Sequence, residues 1–290
     1  MIKRTIEVSQ PSYLKFGQGN LLIEQNHVLV AKVPFEDLGV LILANYQIVV
    51  TQQVVEACGQ NNVVIVHCNA KHMPISLTLP ISGHSLHTKA LQQQIQISKV
   101  RKKQLWQQIV KEKIKHQVQT LERANKPSEA LVRLIDKVKS DDKTNIEAQA
   151  AKKYWRVLFG EAFRRDPDIE GVNALLNYGY AIIRAVVARA IVGTGFHPAL
   201  GLNHSNQYNA YCLADDVMEP FRPWVDEIVF NLNTIELNRE TKTSFLQLLD
   251  KNVMFNKQSL PFMVALSLFV AQLKEAYADT NVALSYPLRN

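Results

Sequence analysis

The stretch Pro80-Ile81-Ser82-Gly83-His84 separates two parts of the sequence that differ in character. Before it, short runs of apolar and β-branched residues alternate with Gly, Pro and Asn, a pattern typical of strands and turns. After it, Gln, Lys, Leu, Ile and Ala dominate, and apolar residues recur at helical intervals. We therefore predict an α+β protein with a small β-rich N-terminal domain over residues 1–80 and a larger all-α domain over residues 81–290.

The N-terminal part is predicted to contain short strands and one helix. The predicted strands are Arg4–Val8, Tyr13–Gly17, Val28–Val30, Leu38–Ala44, Val63–Cys68 and Ile75–Leu79. Leu38–Ala44 is almost wholly apolar, which indicates a strand buried on both faces. Ile75–Leu79 lies between Pro74 and Pro80, which favours an edge strand. Thr51–Ala57 is the one predicted helix, because Thr51 can cap it and Gly59 follows its end.

The C-terminal part is predicted to be a series of helices. The first element begins near Leu86 and ends before Pro127, and Ser128 is expected to cap the next helix. The further helices are expected at Glu129–Lys139, Asn145–Leu158, Asp168–Val192, Asp215–Phe230, Lys242–Leu249 and Pro261–Ala278. A Gly-rich loop, residues 193–198, follows the longest of them.

The composition is that of an ordinary globular chain. Of 290 residues, 47% are hydrophobic and 20% charged, which excludes a disordered or fibrous protein. The three cysteines form no CxxC pair, as is usual for idle thiols in a reducing compartment. Apolar stretches such as Met263–Ala271 are too short to span a bilayer, and no signal peptide is visible. We expect a cytoplasmic protein without a membrane partner.

The charge is unevenly distributed along the chain. The net charge is +7, but residues 99–156 alone hold 16 Lys and Arg against 7 Asp and Glu. Residues 157–290 hold 11 against 14. A basic segment beside an acidic one suits a metal-using enzyme of nucleic acids, with cations for phosphates and carboxylates for a metal. A solvated, lysine-rich helix face explains the basic segment equally well, and the charges alone do not decide between them.

Four polar residues are candidates for a metal site. Glu147 lies among small residues on a predicted helix, and His204 follows the Gly-rich loop. Asp216 and Glu219 share a face if their segment is helical, although Pro220 requires the helix to start or bend there. Carboxylates and an imidazole suit Mg²⁺ or Mn²⁺. The alternatives are an exposed surface Glu, a structural His and an ordinary acidic first turn of a helix.

Three blocks of sequence resemble a known family. They are Leu176-Asn177-Tyr178-Gly179-Tyr180-Ala181-Ile182, Gly195-Phe196-His197-Pro198-Ala199-Leu200-Gly201-Leu202-Asn203-His204 and the block from Leu213 to Asp226 (LADDVMEPFRPWVD). In this order and spacing they are similar to the signature of the CRISPR-associated integrases, the catalytic subunits of spacer acquisition. The stretch Phe35–Ala44 (FEDLGVLILA) also resembles that family, especially its type II branch.

The resemblance implies an activity and a site. Family members have a β-rich N-terminal dimerisation domain and a helical catalytic domain. Their metal ligands correspond to Glu147, His204 and Glu219, and Asp216 matches a further acid that assists in some members. His197 does not match a ligand. The implied reaction is a transesterification in which a prespacer 3′-hydroxyl attacks a phosphodiester at a repeat border; hydrolysis by the same metal-dependent endonuclease site is also implied.

The resemblance also implies partners. These are double-stranded DNA (prespacer and CRISPR repeat), a second copy of the chain, a small ferredoxin-like subunit and, in type II systems, the effector nuclease. The basic segment is expected to bind the DNA backbone, with low specificity for sequence. The candidate contacts are Lys99, Arg101, Lys102, Lys103, Lys111, Lys113 and Lys115.

Other functions remain open at this point. A stand-alone nuclease for branched or single-stranded DNA in repair would use the same metal site, and joining of DNA distinguishes the two. A non-catalytic DNA-binding scaffold would bind DNA without needing a divalent metal. A metabolic α/β enzyme has no support, because the sequence contains no GxGxxG, P-loop or nucleophile elbow.

Overall fold

The computed structural model describes residues 3–81 and 83–289, so that Ser82 of the predicted linker lies outside the described residues. A β-rich N-terminal part is followed by a mostly helical C-terminal part. This confirms the predicted α+β class. The predicted domain boundary between residues 80 and 81 stays a prediction.

The N-terminal part contains two β-sheets. Its elements are β1 (Arg4–Val8), β2 (Tyr13–Gly17), β3 (Asn20–Gln25), β4 (Val28–Pro34), β5 (Leu38–Leu43), β6 (Val49–Val50), α1 (Gln52–Gln60), β7 (Val64–Cys68) and β8 (Pro74–Thr78). One sheet has the order β4-β3-β2-β6 and the other the order β1-β5-β7-β8. In the second sheet β1, β5 and β7 are parallel, and β8 runs antiparallel at the edge, as its flanking prolines predict.

Strand β5 has both faces buried, as its apolar sequence predicts. Leu41 and the partly buried Leu43 belong to the core of the N-terminal part, together with the first sheet and α1. Val40 and Ile42 point the other way and belong to the large core that the helices form. Because successive residues of a strand face opposite sides, one strand contributes to both cores.

The C-terminal part is mostly helical rather than all-α. Its elements are α2 (His87–Gln96), α3 (Lys99–Arg123), α4 (Glu129–Ile135), α5 (Ile146–Phe159), α6 (Val172–Gly193), α7 (Cys212–Met218), α8 (Arg222–Asn231), α9 (Arg239–Asp250), β9 (Asn252–Phe255), β10 (Gln258–Pro261), α10 (Phe262–Ala278) and β11 (Leu288–Arg289). The three strands form a small sheet of order β10-β9-β11, which the sequence did not reveal.

The start of α3 and the cap of α4 differ from the prediction for local reasons. The helix expected from Leu86 to Pro127 is broken after α2, because Ser98 adopts an extended conformation and caps α3 by accepting from the Arg101 N–H at 3.1 Å. Ser128 does not cap α4 with its side chain; its hydroxyl donates to Glu122 instead, at 3.2 Å.

Helix α6 runs through the centre of the C-terminal part. It is long and apolar enough to cross a membrane by length and composition, but 83% of its most apolar window is buried inside the protein, as expected of a core helix. Gly179 permits close packing there, because a Cβ at this position would clash with Val225 and Phe245. Helix α6 therefore packs tightly against α8 and α9, which sets the position of the segment between α7 and α8.

Candidate active site

The side chain of Lys113 joins two of the predicted site residues. Its Nζ lies 2.6 Å from Oε1 of Glu147, to which it donates a hydrogen bond, and 2.6 Å from Oε2 of Glu219. The second contact is a close ion pair without the alignment of a hydrogen bond. Helix α3 carries Lys113, and it packs against α5 and against the 3₁₀ turn at Glu219. Two acids distant in sequence thus converge on one cation.

The N-terminus of α5 holds Glu147 in place. Both carboxylate oxygens of Asp142 accept backbone N–H groups there, from Ile146 at 2.8 Å and from Glu147 at 2.9 Å. Asn145 supplies the left-handed backbone that precedes the helix, with φ +52°. Such acceptors satisfy N–H groups that have no partner within the helix. The side chain of Glu147 is 21% exposed and forms an ion pair with Lys113. Glu147 is therefore not a freely solvated surface residue.

Glu219 lies in a 3₁₀ turn, Glu219–Phe221, between α7 and α8. Pro220 was expected to start or bend a helix here; the helix is indeed interrupted, although Glu219 itself keeps α geometry at φ −51°, ψ −44°. Arg222 Nε lies 2.8 Å from Oε1 of Glu219. Burial alone would raise the pKa of this carboxyl, but the charges of Arg222 and Lys113 outweigh burial and lower the pKa to about 2. Glu219 is therefore ionised.

His204 is held by two contacts. Its Nδ1 lies 2.5 Å from Oδ1 of Asp216, and its ring meets that of Trp106 edge to face at 5.8 Å. The hydrogen bond with Asp216 raises the pKa of His204; burial opposes this, and the negative charges of Glu219 and Glu147 raise it further. The charges of both carboxylates that contact Lys113 therefore act on the His204 ring. With Nδ1 engaged, Nε2 is the ring nitrogen left to bind a ligand.

Asp216 anchors the loop that carries His204. This fully buried carboxylate accepts the backbone N–H groups of Leu202 at 2.7 Å, Asn203 at 3.0 Å and His204 at 3.3 Å. Gly201 must lack a side chain, because a Cβ there would lie 2.8 Å from Oδ2 of Asp216 and would clash with the carbonyl of His204. The oxygens of Asp216 are thus used by the loop, and the residue positions His204 rather than facing Glu219.

Two polar residues near the candidates, Asp215 and His197, have structural partners. Asp215 forms an ion pair with Arg184 at 2.7 Å and accepts the side-chain amide of Asn209. His197 is exposed, and its backbone is fastened to Gln94, whose amide both donates to the His197 carbonyl and accepts the His197 N–H. This agrees with the interpretation of His197 as a loop residue.

The donor set fits a divalent metal, although the side chains are not gathered around one position. Over residues 3–81 and 83–289, no three His, Cys, Asp or Glu side chains lie close enough to hold a metal ion. Lys113 explains the separation, because its ammonium stands between Glu147 and Glu219. Two carboxylates and the Nε2 of His204 are ligands that Mg²⁺ or Mn²⁺ accepts. Glu147, Glu219 and His204 are therefore the residues that would hold it.

A cavity of about 200 Å³ adjoins these residues. Lys113 and Glu219 line it together with residues that the sequence analysis had not selected, Arg165, Tyr180, Arg222 and Asp226. The guanidinium groups of Arg165 and Arg222 lie 5.4 and 4.7 Å from the centre of the Tyr180 ring. Arg222 could have been found from the sequence, because it follows Glu219 by three residues; Arg165 could not, since it reaches the cavity from a loop.

Asp226 is a second buried acid of this cavity, in addition to Glu219. It accepts hydrogen bonds from the hydroxyls of Tyr154, at 2.9 Å, and Tyr180. Burial raises the pKa of Asp226 to about 7, against the two hydrogen bonds and the charge of Arg222. His204 lines a second hollow, of about 420 Å³, together with polar residues such as Gln94, Asn206 and Asn209.

Arg101, one of the candidate DNA contacts, has a structural position. It is buried at the start of α3, and its guanidinium donates to the carbonyls of Ala276, Asp279 and Val282 at 2.7–3.0 Å. These carbonyls lie at and beyond the end of α10, where a cation is favourable. Arg101 therefore fastens the C-terminal segment to α3.

The other candidate DNA contacts are distributed around α3. Lys102 donates to the carbonyl of Gly201, Lys103 forms an ion pair with Asp141, and Lys115 forms one with Glu112. Lys113 forms ion pairs with both Glu147 and Glu219. Lys99 and Lys111 form no ion pair with any residue of the described part of the chain. A contact with DNA stays a prediction for each of the six lysines.

Comparisons with known proteins agree on one family. The family model described as CRISPR associated protein Cas1 matches residues 7–264. A CRISPR-associated endonuclease Cas1 of Neisseria meningitidis serogroup C (strain 8013) is 34% identical over 288 residues, 97% of this chain and 94% of that protein.

Solved structures share the fold. A Cas1 protein from Thermotoga maritima has a TM-score of 0.77 and 16% identity, with 95% of this chain and 97% of that chain covered. A casposase bound to an integration product has a TM-score of 0.75 and 19% identity, with 98% and 92% covered.

Proposed function

The chain belongs to the Cas1 family of CRISPR-associated endonucleases, and we propose that it is a metal-dependent DNA integrase that inserts spacer DNA into a CRISPR array. The observation that carries this proposal is the convergence of Glu147 and Glu219 on a single cation position, within the electrostatic reach of His204. These are the three residues that the family resemblance selects as ligands. The structural likeness to a casposase bound to an integration product supports joining of DNA, in addition to cutting.

Mg²⁺ or Mn²⁺ is the proposed cofactor, held by Glu147, Glu219 and His204. Such an ion polarises a phosphodiester and stabilises the charge that builds on the leaving oxygen. The protein's own contribution is to keep the ligands ready: Arg222 and Lys113 keep Glu219 ionised, and Asp216 orients the ring of His204.

The proposed reaction exchanges one phosphodiester bond for another. The 3′-oxygen of a prespacer end bonds to the phosphorus at a repeat border, and the bond from that phosphorus to the 3′-oxygen of the repeat strand breaks. The attacking hydroxyl loses its proton, and the leaving oxygen gains one. The nucleophile comes from DNA, so no protein nucleophile is needed. Cations that line the cavity, Arg165 and Arg222, are placed to bind phosphates nearby.

The proposed partners are double-stranded DNA, a second copy of the chain and a small ferredoxin-like subunit. Two solved complexes described as Cas6-RT-Cas1–Cas2 contain a chain that includes this fold, and they support the presence of a further protein subunit. The similarity to the Neisseria protein supports assignment to the type II branch, in which the effector nuclease takes part.

Strand β4 supports the proposed homodimer. It is an edge strand of the first sheet, and it exposes three successive apolar residues, Val28, Leu29 and Val30, each more than half exposed. An exposed apolar edge is a ready surface for pairing with another chain.

An integration assay tests the proposed function. The purified protein, with and without its small partner, is mixed with a short duplex bearing 3′-hydroxyls and a plasmid carrying a repeat, in Mn²⁺, Mg²⁺ or EDTA. We expect joined product only with the metal, and its loss in Glu147→Ala, His204→Ala and Glu219→Ala. Metal-dependent cutting without joining would indicate a repair nuclease. DNA binding without any metal-dependent chemistry would indicate a scaffold.

A further inference from the structure

We propose that Lys113 is an internal counter-cation, which occupies the metal position between Glu147 and Glu219 and must leave it when a divalent metal binds. The inference rests on the proposed metal-dependent function, because it concerns the same site. It assigns to Lys113 a role in controlling metal binding, in addition to the contact with DNA that its position in the basic segment suggested.

The first support is the geometry of the ion pairs. Lys113 Nζ lies at the same distance, 2.6 Å, from one oxygen of Glu147 and one of Glu219. The two acids come from different elements, the start of α5 and the turn before α8, and they contact the same nitrogen atom. Lys113 is only 12% exposed, so water replaces little of this interaction. The ammonium thus fills the place where the two carboxylates converge.

The second support is the balance of charge. Glu147 and Glu219 carry two negative charges, and Lys113 and Arg222 carry two positive charges within direct contact of them. The metal-free set is therefore neutral. A divalent ion added beside Lys113 would leave two uncompensated positive charges in a buried place, where charges are poorly screened. Movement of Lys113 away from the carboxylates removes the direct conflict with the ion.

The third support is a space into which Lys113 can move. Lys113 itself lines the cavity of about 200 Å³ next to the site, and a lysine side chain is flexible. Arg165 and Arg222 also line this cavity. With the ammonium turned toward them, three cations would line a cavity that also holds the carboxyls of Glu219 and Asp226, and the excess of positive charge suits a phosphate group of DNA. Metal binding and phosphate binding would then favour each other, since each relieves the charge imbalance that the other creates.

The test is a measurement of Mn²⁺ affinity by electron paramagnetic resonance, without DNA and without any activity readout. Lys113→Met removes the competing ammonium, and Lys113→Gln removes the charge but keeps hydrogen-bond donors for the carboxylates. We expect both variants to bind Mn²⁺ at least about tenfold more tightly than the wild-type protein, which corresponds to about 1.4 kcal/mol. Lys111→Met, on the same helix and without an ion pair in the described residues, should bind as wild type does.

The measurement separates this inference from the proposed reaction. Equal or weaker Mn²⁺ binding by both folded Lys113 variants would overturn the inference, even if the wild-type protein joins DNA. Tighter binding in the variants would support it, even if the wild-type protein does not join DNA. A second readout is DNA affinity: Mn²⁺ should tighten binding of a short duplex in wild type, and much less in Lys113→Met. Mn²⁺ enhancement of the same size in both proteins would contradict the coupling.

Discussion

The imidazole Nδ1 of His204 lies 2.5 Å from the carboxylate Oδ1 of Asp216, which also accepts the backbone N–H of His204. One buried acid therefore fixes both the main chain and the ring of the same residue. A hydrogen bond at Nδ1 places the ring proton on that nitrogen and leaves the lone pair of Nε2 for a metal. Asp216 thus controls which ring nitrogen of His204 is available to bind a metal.

Asp216→Asn should weaken the site without unfolding the protein. The variant keeps the size of the side chain but removes the charge, and its amide presents N–H groups where the loop requires acceptors. Loss of such an outer partner of a ligand typically lowers metal affinity or activity by roughly 10–100-fold. Mn²⁺ titration and the joining assay measure the loss, with the exposed Asp250→Asn as the control. Unchanged metal affinity would show that Asp216 does not position His204.

Gly201→Ala should displace the loop that carries His204. The added methyl group would clash with the His204 carbonyl and crowd Asp216, so the backbone has to shift. We expect a loss of about 2 kcal/mol of stability, the usual size of an overpacking effect, and a loss of joining activity. Urea denaturation measures the first. Gly59→Ala is the matched control, since a Cβ there meets no atom within 4 Å; equal behaviour of the two variants would contradict the crowding argument.

Asp142→Ala should loosen the start of α5. It removes the acceptors of two backbone N–H groups, including that of Glu147. Loss of a helix cap costs about 1 kcal/mol, and metal-dependent activity should fall further because Glu147 is no longer held in register. Thermal unfolding and the joining assay are compared with those of Asp136→Ala, an exposed acid near the end of α4. If the Asp142 variant loses stability but keeps full activity, the cap stabilises α5 without positioning Glu147 for the reaction.

His116 should make stability depend on pH. Burial lowers the pKa of His116 from 6.5 to about 3, so the folded protein keeps the ring neutral while the unfolded chain takes up a proton. The stability that this provides is present above pH 6.5 and is lost as the pH falls toward 3. At pH 5 the loss is about 2 kcal/mol by linkage.

The comparison is of urea denaturation at pH 7.5 and pH 5. His116→Gln should lose less stability than wild type between these values, by about the same 2 kcal/mol. His27→Gln, at an exposed histidine, should behave as wild type does. If the His116 variant shows the wild-type pH dependence, the buried neutral ring is not its source.

Leu29→Lys should prevent self-association through β4. The substitution places a charge in the middle of the exposed apolar edge formed by Val28, Leu29 and Val30. In analytical ultracentrifugation we expect the wild-type protein to sediment as the proposed dimer and Leu29→Lys to sediment as a monomer. Val132→Lys, at an exposed apolar residue of α4, is the control. A dimer that survives Leu29→Lys would assign the interface to another surface.

The sequence predicted the fold well where the patterns are local. The apolar run of β5 and the periodic helices are visible in the chain itself, while β3 was missed because Leu21–Glu24 does not alternate cleanly. The site depended on tertiary contacts. Residue type and local context made Glu147, His204 and Glu219 candidates, but only the family resemblance grouped them into one site, since 57 residues separate the first two.

Lys113 and Arg101 show why the basic segment could not be interpreted residue by residue. Both belong to α3, and nothing in the helical pattern distinguishes them from solvated lysines. Their partners are carboxylates and carbonyls brought from far along the chain, by the folding of α5, the Glu219 turn and α10. The sequence shows that a cation is present, but the role of that cation depends on the residues that surround it in the fold.

Strand β5 has a mechanical consequence. Its alternate side chains are embedded in two different cores, so the two parts of the molecule cannot rotate against each other without opening both. In a dimer built through the N-terminal sheets, the separation and orientation of the two active centres would follow directly from how the sheets dock. The length of DNA held between the centres would then be set by a rigid frame.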